Sequence, residues 1–230
     1  MHSFAQTNLQ WFNQMRREGY ANDDLAVARN GYECAMELFT GQFRASGKTF
    51  LAHLVGTASI LISWRARCNI AVAGVLHAAY MSGNFGALDL DGKRAWMSTR
   101  VGPNIERYIE RYTAIGLGPA RIRSLVRHGT PTDPIDADVV LICLANELED
   151  LLDLAPLYSS DWRCKQNVRM GRLWALVAHD LGRADIVEEF ERALSAVDGA
   201  RLPNELRSEN GRDRSFTLRP PREHITDSVF

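Results

Sequence analysis

The fold is decided in the stretch RASGKTFLAH, residues 44–53, and in the stretch AGVLHAAY, residues 73–80. Each stretch carries one histidine, His53 or His77, among apolar residues at helical spacing. A short polar run at residues 65–69 separates the two predicted helices. Two antiparallel helices joined there would bring both imidazoles to one interior point. The sequence therefore predicts a buried histidine pair.

Helical periodicity extends along most of the chain. A weak amphipathic pattern covers residues 3–18, and the strongest later patterns cover residues 136–153 and 162–181. No stretch shows a convincing alternation of period two, which is the pattern of a half-buried strand. We predict an all-α fold, an orthogonal array of about eight to ten helices.

The domain organisation follows from where the periodic pattern stops. One helical domain is predicted at residues 1–198, with a core at residues 22–182 and the N-terminal helix, residues 3–18, packed on it. From residue 199 to residue 230, prolines, glycines and charges replace the apolar pattern. We expect these residues to form an extended or partly ordered tail.

Composition limits the partners. The chain has 27 Lys and Arg against 28 Asp and Glu, so its charge gives no argument for nucleic-acid binding. No run approaches the roughly 20 apolar residues that cross a bilayer, and the four cysteines are spaced as reduced thiols. These observations predict a cytoplasmic protein that binds a small-molecule ligand, without a nucleic-acid or membrane partner. The second prediction about partners is that copies of the chain form a homo-oligomer through the N-terminal helix or the C-terminal tail.

The two histidine stretches carry a family resemblance. The pattern Arg44-x-Ser-Gly-x-x-Phe-x-x-His53, followed by Leu-His77, resembles the hydrolase half of RelA/SpoT-type (p)ppGpp enzymes. It is similar more broadly to the HD superfamily of metal-dependent phosphohydrolases. The residue pattern of the two stretches resembles DUF6817, an HD-like family of unknown function, more closely. The similarity covers about residues 25–155 and implies an HD-like fold.

Two positions depart from the HD pattern. The resemblance implies four metal ligands, a His, a His-Asp dipeptide and a distant Asp. Here Ala78 follows His77, and Asn146 stands in the Leu-Ala-Asp context. Hard divalent cations prefer oxygen ligands such as carboxylates. We therefore expect no metal cofactor or, if a divalent ion such as Mn or Fe binds, a weak site at His53 and His77.

The candidate site residues are the catalytic His53, His77 and Tyr80 and the substrate-binding Arg44, Asn146 and Asp150. In the resembling hydrolases the arginine that matches Arg44 lies near the nucleotide; a surface arginine that pairs with a helix end is the alternative. The default expectation for the acidic residues Glu147, Glu149, Asp150 and Asp153 is a solvent-exposed helix face. In the functional interpretation Glu147 or Asp150 replaces a lost carboxylate, and Asp150 is favoured because it lies one helical turn after Asn146.

Two apparent motifs are rejected. The glycines before Lys48-Thr49 are one residue too far apart for a phosphate-binding loop, and a helix rather than a strand is predicted before them. We expect Ser46 to cap the helix that contains His53. The dipeptide His179-Asp180 lies at a predicted helix end, where interaction with the helix dipole or solvent is more common than metal binding.

These features predict a small-molecule enzyme on a degenerate HD-type scaffold, a hydrolase or lyase. It would use the buried histidine pair for acid–base or weak metal chemistry on a polar, phosphorylated or nucleotide-like substrate. Metal-dependent HD phosphohydrolase activity is not expected, because the Asp ligands are replaced. One alternative is a catalytically inactive HD-like ligand-binding or protein-interaction module. Another is a pair of hydrogen-bonded core histidines without a ligand.

Overall fold

A computed structural model describes residues 4–115, 122–124, 127, 134–203 and 214–218, without the side chains of residues 134 and 135. Within these ranges the helices with defined bounds are α1 (Asn8–Arg17), α2 (Asn22–Phe39), α3 (Phe50–Ser63), α4 (Cys68–Val75), α5 (Ala79–Ser82), α6 (Leu90–Val101), α7 (Pro103–Ile115), α8 (Pro134–Leu152), α9 (Asp161–Asp180) and α10 (Ala184–Gly199). A 3-10 helix spans Ala155–Tyr158. The predicted all-α fold is confirmed.

Helix α3 lies at the centre of the array. Every residue from His53 to Ile62 is buried, which agrees with the nearly continuous apolar sequence of this helix. The helix begins after Thr49, whose side chain accepts a hydrogen bond from the backbone N–H of Ala52. Ser46 is therefore not the N-cap, contrary to the prediction. Helix α3 packs against both α4 and α8, and this packing brings the histidine segments next to the acidic helix.

The N-terminal helix is shorter than the predicted span of residues 3–18. Helix α1 begins after Thr7, which caps it, and its Trp11 and Met15 are fully buried. It packs against α3 and α2. The backbone N–H of Ala5 also donates to the Ser59 hydroxyl of α3 at 2.8 Å. The N-terminal segment thus covers one side of the central helix.

A two-stranded antiparallel sheet joins distant parts of the chain. Strand β1 (Gln42–Phe43) pairs with β2 (Phe216–Thr217), and the rings of Phe43 and Phe216 stack with centroids 5.3 Å apart. Residues 214–218 therefore lie beside the segment that precedes α3. The rest of the predicted tail beyond residue 203 lies outside the described residues.

The dipeptide His179-Asp180 is part of an ion-pair cluster. The Asp180 carboxylate accepts hydrogen bonds from Arg123 Nε and Arg127 Nε, each at 2.8 Å. These two hydrogen bonds lower the pKa of Asp180 to about 2. His179 is largely exposed, with 76% of its side chain accessible. The Asp180 carboxylate is therefore paired with two arginines, and the rejection of the dipeptide as a metal site stays a prediction.

Two further findings concern the environment of the chain. All four cysteines are free thiols. Within the described ranges, no helix combines the length and apolar character needed to cross a bilayer.

Candidate functional site

The two histidines lie together in the interior. His53 on α3 is fully buried and His77, just after α4, is 2% exposed. Their ring centroids are 5.5 Å apart and the ring planes meet at 74°. The structure thus brings together the two imidazoles that the sequence places on separate helical segments.

The hydrogen bonds of each histidine fix its tautomer. His53 Nδ1 lies 2.6 Å from Glu149 Oε2, and His77 Nδ1 lies 2.7 Å from the carbonyl oxygen of Gly74. A carboxylate and a carbonyl can only accept, so Nδ1 carries the hydrogen in both neutral rings and Nε2 carries the lone pair. His53 Nε2 is buried and has no hydrogen-bond partner among the described residues. A buried acceptor is therefore available at the centre of the fold.

Both imidazoles are neutral at ordinary pH. Burial and then the positive charge of Arg44 together lower the pKa of His53 to about 3. Burial also lowers the pKa of His77 to about 3, with the neighbouring His53 as the next cause. Hydrogen bonding by the Asn146 side chain opposes this lowering at both histidines, which places the amide beside the pair, although the contact does not reach the geometry of a hydrogen bond at His53 Nε2. Asn146 is itself buried.

Glu149 is the site residue that the sequence interpretation missed. The predicted solvent-exposed face is wrong for this residue, because only 2% of Glu149 is accessible. Its side chain crosses α3 at Gly56, where a Cβ atom would lie 2.5 Å from Glu149 Oε1. Only glycine leaves this space. A glycine one turn after His53 in an otherwise apolar helix was the one sequence signal for this contact.

The carboxylates at the site are paired with cationic side chains. Lys48 Nζ contacts Glu149 Oε1 and lies 3.5 Å from Asp153, while Arg44 pairs with Asp150. Burial raises the pKa of Glu149, whereas Lys48 acts in the opposite direction. Arg44 and Asp150 are thus both present beside His53, as the sequence analysis expected, but they bind each other. Whether they also bind a substrate stays a prediction.

The donor set does not fit a hard divalent cation. His53, Glu149 and Asp150 offer one nitrogen and two oxygens within 4.8 Å of one another. Both carboxylates, however, are already neutralised by Lys48 and Arg44. Ala78 supplies no ligand atom, and the amide of Asn146 supplies no charge. Two imidazole nitrogens with fixed Nδ1–H groups suit a borderline transition metal better than Mg²⁺ or Mn²⁺.

Tyr80 forms its hydrogen bond with a residue outside the histidine pair. Its hydroxyl donates to Glu106 Oε1 at 2.9 Å, and Arg94 Nε donates to the same oxygen at 2.9 Å. Burial and then the Glu106 hydrogen bond raise the pKa of Tyr80 above its ordinary value. The predicted catalytic role of Tyr80 thus receives no support from its hydrogen bonds.

A different tyrosine contacts the pair. The ring of Tyr112 on α7 packs edge-on against His77, with centroids 5.0 Å apart. Tyr112 is 1% exposed, and its hydroxyl has no hydrogen-bond partner among the described residues. Burial raises the pKa of this hydroxyl well above 10, so it stays protonated. The sequence placed Tyr112 on a helix face with other large residues, which indicates core packing and nothing more.

A polar cleft of about 460 Å³ lies next to the histidine pair. It is lined by Arg44, Ala45, Ser46, Asn146, Glu147, Asp150, Leu151, Ala155, Pro156, Ser159, Arg163, Asn167, Arg214 and Ser215. Three arginines therefore face one cavity, whose walls come from α8, α9, the segment before α3 and the segment beside β2. Burial and the charge of Asp150 raise the pKa of Glu147 to about 7. Asn146, Arg44 and Asp150 belong both to this cleft and to the surroundings of His53.

Comparison with known proteins agrees with this fold. A family model described as a domain of unknown function, DUF6817, matches residues 35–116. No curated protein matches the chain. A solved structure described as a metazoan orthologue of SpoT that hydrolyses ppGpp is 12% identical in sequence, with a TM-score of 0.53. The match covers 76% of this chain and 95% of that one.

At this level of identity the structural likeness concerns the fold alone. The predicted HD-like, all-α array is confirmed by the helices and by this likeness. The matched family segment contains His53 and His77 but ends before Asn146, Glu149 and Asp150. The chain thus shares its helical fold with that solved structure and is similar over residues 35–116 to a domain family of unknown function.

Proposed function

We propose that this chain is a small-molecule hydrolase that acts on a phosphorylated, nucleotide-like substrate at the histidine pair. One observation carries the proposal. His53 Nε2 is a buried acceptor without a partner among the described residues, and it lies beside residues that line an arginine-bearing cleft. A core histidine with a merely structural role is expected to have both ring nitrogens satisfied.

The cleft supports an anionic substrate. It is lined by Arg44, Arg163 and Arg214. A guanidinium group can form two parallel hydrogen bonds to the oxygens of a phosphate. Its volume of about 460 Å³ lies in the range of pockets that hold small molecules. Asp150 holds Arg44 in place at the inner end. The solved relative whose description names ppGpp hydrolysis adds a phosphorylated nucleotide to the substrates to be tested.

The chemistry we propose uses the fixed tautomer of His53. A water molecule would give its proton to Nε2 while its oxygen forms a bond to phosphorus. The bond between phosphorus and the leaving oxygen breaks, and the cleft arginines stabilise the charge on that oxygen. Glu149, 2.6 Å from Nδ1, then stabilises the imidazolium. Glu149 is a positioning residue in this scheme, because it acts only through His53.

Substrate binding would also make His53 a better base. In the resting site the pKa of His53 is about 3, because the ring is buried and Arg44 and Lys48 are positive. A phosphate group that binds Arg44 brings negative charge and favours the imidazolium form. The expected result is a rise in the pKa of His53 on substrate binding.

No step is assigned to a metal, because the donor set does not fit a hard cation. A weak site for a divalent ion such as Fe²⁺ at His53 and His77 remains the metal prediction. Metal analysis of the purified protein, before and after chelation, measures this directly. We expect little stimulation of phosphate release by Mn²⁺.

Turnover assays test the proposed hydrolysis. Release of phosphate and pyrophosphate is measured from ppGpp, GDP, GTP, ADP and ATP, with EDTA, Mn²⁺ or Fe²⁺ present. We expect turnover of at least one of these compounds that is lost in His53→Gln and retained in His179→Gln. His179 is the matched control because it is an exposed histidine on α9. Equal turnover in both variants would refute the proposed role of His53.

A ligand-binding module without catalysis is the second candidate. It is favoured by the loss of both HD carboxylates at Ala78 and Asn146 and by the internal pairing of Glu149 and Asp150. Calorimetry with the same nucleotides separates the two candidates. Binding that Arg44→Ala weakens, together with no turnover under any metal condition, would favour the module.

A further inference from the structure

The two unpartnered polar atoms near the histidines have complementary chemistry. His53 Nε2 offers a lone pair, and Tyr112 offers an O–H donor. The rings of His53, His77 and Tyr112 follow one another edge to face, with successive centroids 5.5 and 5.0 Å apart. Both atoms are buried, so bulk water does not satisfy them. A core built for packing alone would be more stable with phenylalanine at position 112.

We infer that Tyr112 is a ligand-binding residue of this site and that a hydroxylic oxygen, from water or from an alcohol group of the ligand, binds between it and His53. The oxygen accepts a hydrogen bond from the Tyr112 hydroxyl and donates its own hydrogen to His53 Nε2. A carboxylate or a deprotonated phosphate oxygen would satisfy Tyr112 but not the acceptor on His53. The inference deepens the proposed function, because the bound oxygen would be the nucleophile or the substrate hydroxyl.

The surroundings of Tyr112 support this position. Besides burial, the pKa of its hydroxyl is affected by Cys143 and then by Glu147, Arg44 and Asp150, and the last three line the cleft. Tyr112 therefore lies close both to His77 and to residues that line the polar cleft. Tyr112 would hold the oxygen and, once His53 removes the proton, would stabilise the hydroxide or alkoxide that forms.

The variant Tyr112→Phe tests the inference, with Tyr108→Phe as the matched control. Both tyrosines lie on α7, but the Tyr108 hydroxyl donates to Asp138 at 2.8 Å. A high-resolution crystal structure of the full chain should show an oxygen within hydrogen-bonding distance of both Tyr112 Oη and His53 Nε2. That oxygen should be absent or displaced in Tyr112→Phe and unchanged in Tyr108→Phe.

Histidine nitrogen NMR provides the second readout. The His53 Nε2 resonance should shift towards the value of a non-bonded imidazole nitrogen in Tyr112→Phe and stay unchanged in Tyr108→Phe. An unchanged resonance in Tyr112→Phe, or a Tyr112 hydroxyl bonded only to protein groups, would overturn the inference. Neither measurement depends on turnover. The bound oxygen can therefore be detected even if the protein hydrolyses none of the compounds tested, and hydrolysis can be detected even if no such oxygen is found.

Discussion

Replacing Lys48 by methionine should leave a buried negative charge without its main cationic partner. The Lys48 side chain is 12% exposed and that of Glu149 is 3% exposed, so water replaces little of the lost interaction. Removal of one partner from a buried ion pair costs about 3–5 kcal/mol. His53 Nδ1–H still donates to Glu149, and the carboxyl group can take up a proton, so we expect about 3 kcal/mol. For a chain of this size the melting temperature should fall by about 6–12 °C.

Urea denaturation at pH 6 and pH 8 measures this effect. Burial already raises the pKa of Glu149 above its ordinary 4.5, and loss of Lys48 raises it further. The folded variant then binds more protons than the unfolded chain above pH 4.5, so its stability falls as pH rises. We expect a larger loss at pH 8 than at pH 6. Adding Glu149→Gln should restore most of the stability, because the uncompensated buried charge is removed.

The exposed pair Arg29–Glu33 supplies the control, since its side chains are 72% and 44% accessible. Arg29→Met should change the free energy of unfolding by less than about 0.5 kcal/mol. A loss below about 1 kcal/mol in Lys48→Met at pH 8 would show that this ion pair is solvated and that the burial reasoning fails.

Three further perturbations have definite expected outcomes. Gly56→Ala should lower stability in urea denaturation instead of adding the usual 0.5–1 kcal/mol of helix propensity, because the new Cβ would lie 2.5 Å from Glu149 Oε1. His53 and His77 have folded pKa values of about 3 against an ordinary 6.5, so the unfolded chain binds more protons between these values. The stability contributed by the two buried neutral rings is therefore complete above pH 6.5. Below that pH the free energy of unfolding falls by up to about 1.4 kcal/mol per pH unit for each histidine. In urea denaturation, the double variant His53→Gln/His77→Gln should show a weaker dependence of stability on pH. Arg163→Ala should weaken binding of a phosphorylated nucleotide about tenfold in calorimetry, because one charge-assisted contact is lost.

Each of these has a control on the same molecule. Gly199→Ala changes a helical glycine with no atom near its Cβ position, so it should not destabilise the fold. His179→Gln should leave the pH dependence unchanged, since that side chain is exposed. Arg169→Ala removes an exposed arginine of α9 that does not line the cleft, so it should leave nucleotide affinity unchanged. If a control matched its test variant, the corresponding structural reason would be wrong.

Local spacing was enough to predict the histidine pair, because the helical period determines which residues share a face. Asn146 and Asp150 were found through the family pattern and through the four-residue repeat on α8. Glu149 was missed because a run of acidic residues usually faces water. Its burial depends on Gly56, which no local pattern links to it.

The two tyrosines show a second limit of the sequence. The sequence spacing puts Tyr80 on one helical face with His77, but the structure ends α4 at Val75 and begins α5 at Ala79, and the Tyr80 hydroxyl bonds to Glu106 from another helix. Tyr112 contacts His77 across 35 residues of sequence, and a large aromatic residue on a helix most often indicates packing. Which tyrosine meets the histidines depends on how α7 crosses the end of α4. Periodicity within one helix carries no information about that crossing.

The packing of α3 against α8 builds the histidine site from two parts of the chain that are far apart in sequence. A chain that ended before residue 134 would keep His53 and His77 but would lack Glu149, the partner of His53 Nδ1, and one wall of the cleft. The His53 ring would then be less buried, and its pKa would move back towards the ordinary 6.5. During synthesis, the enclosed environment of His53 can form only after Glu149 has left the ribosome.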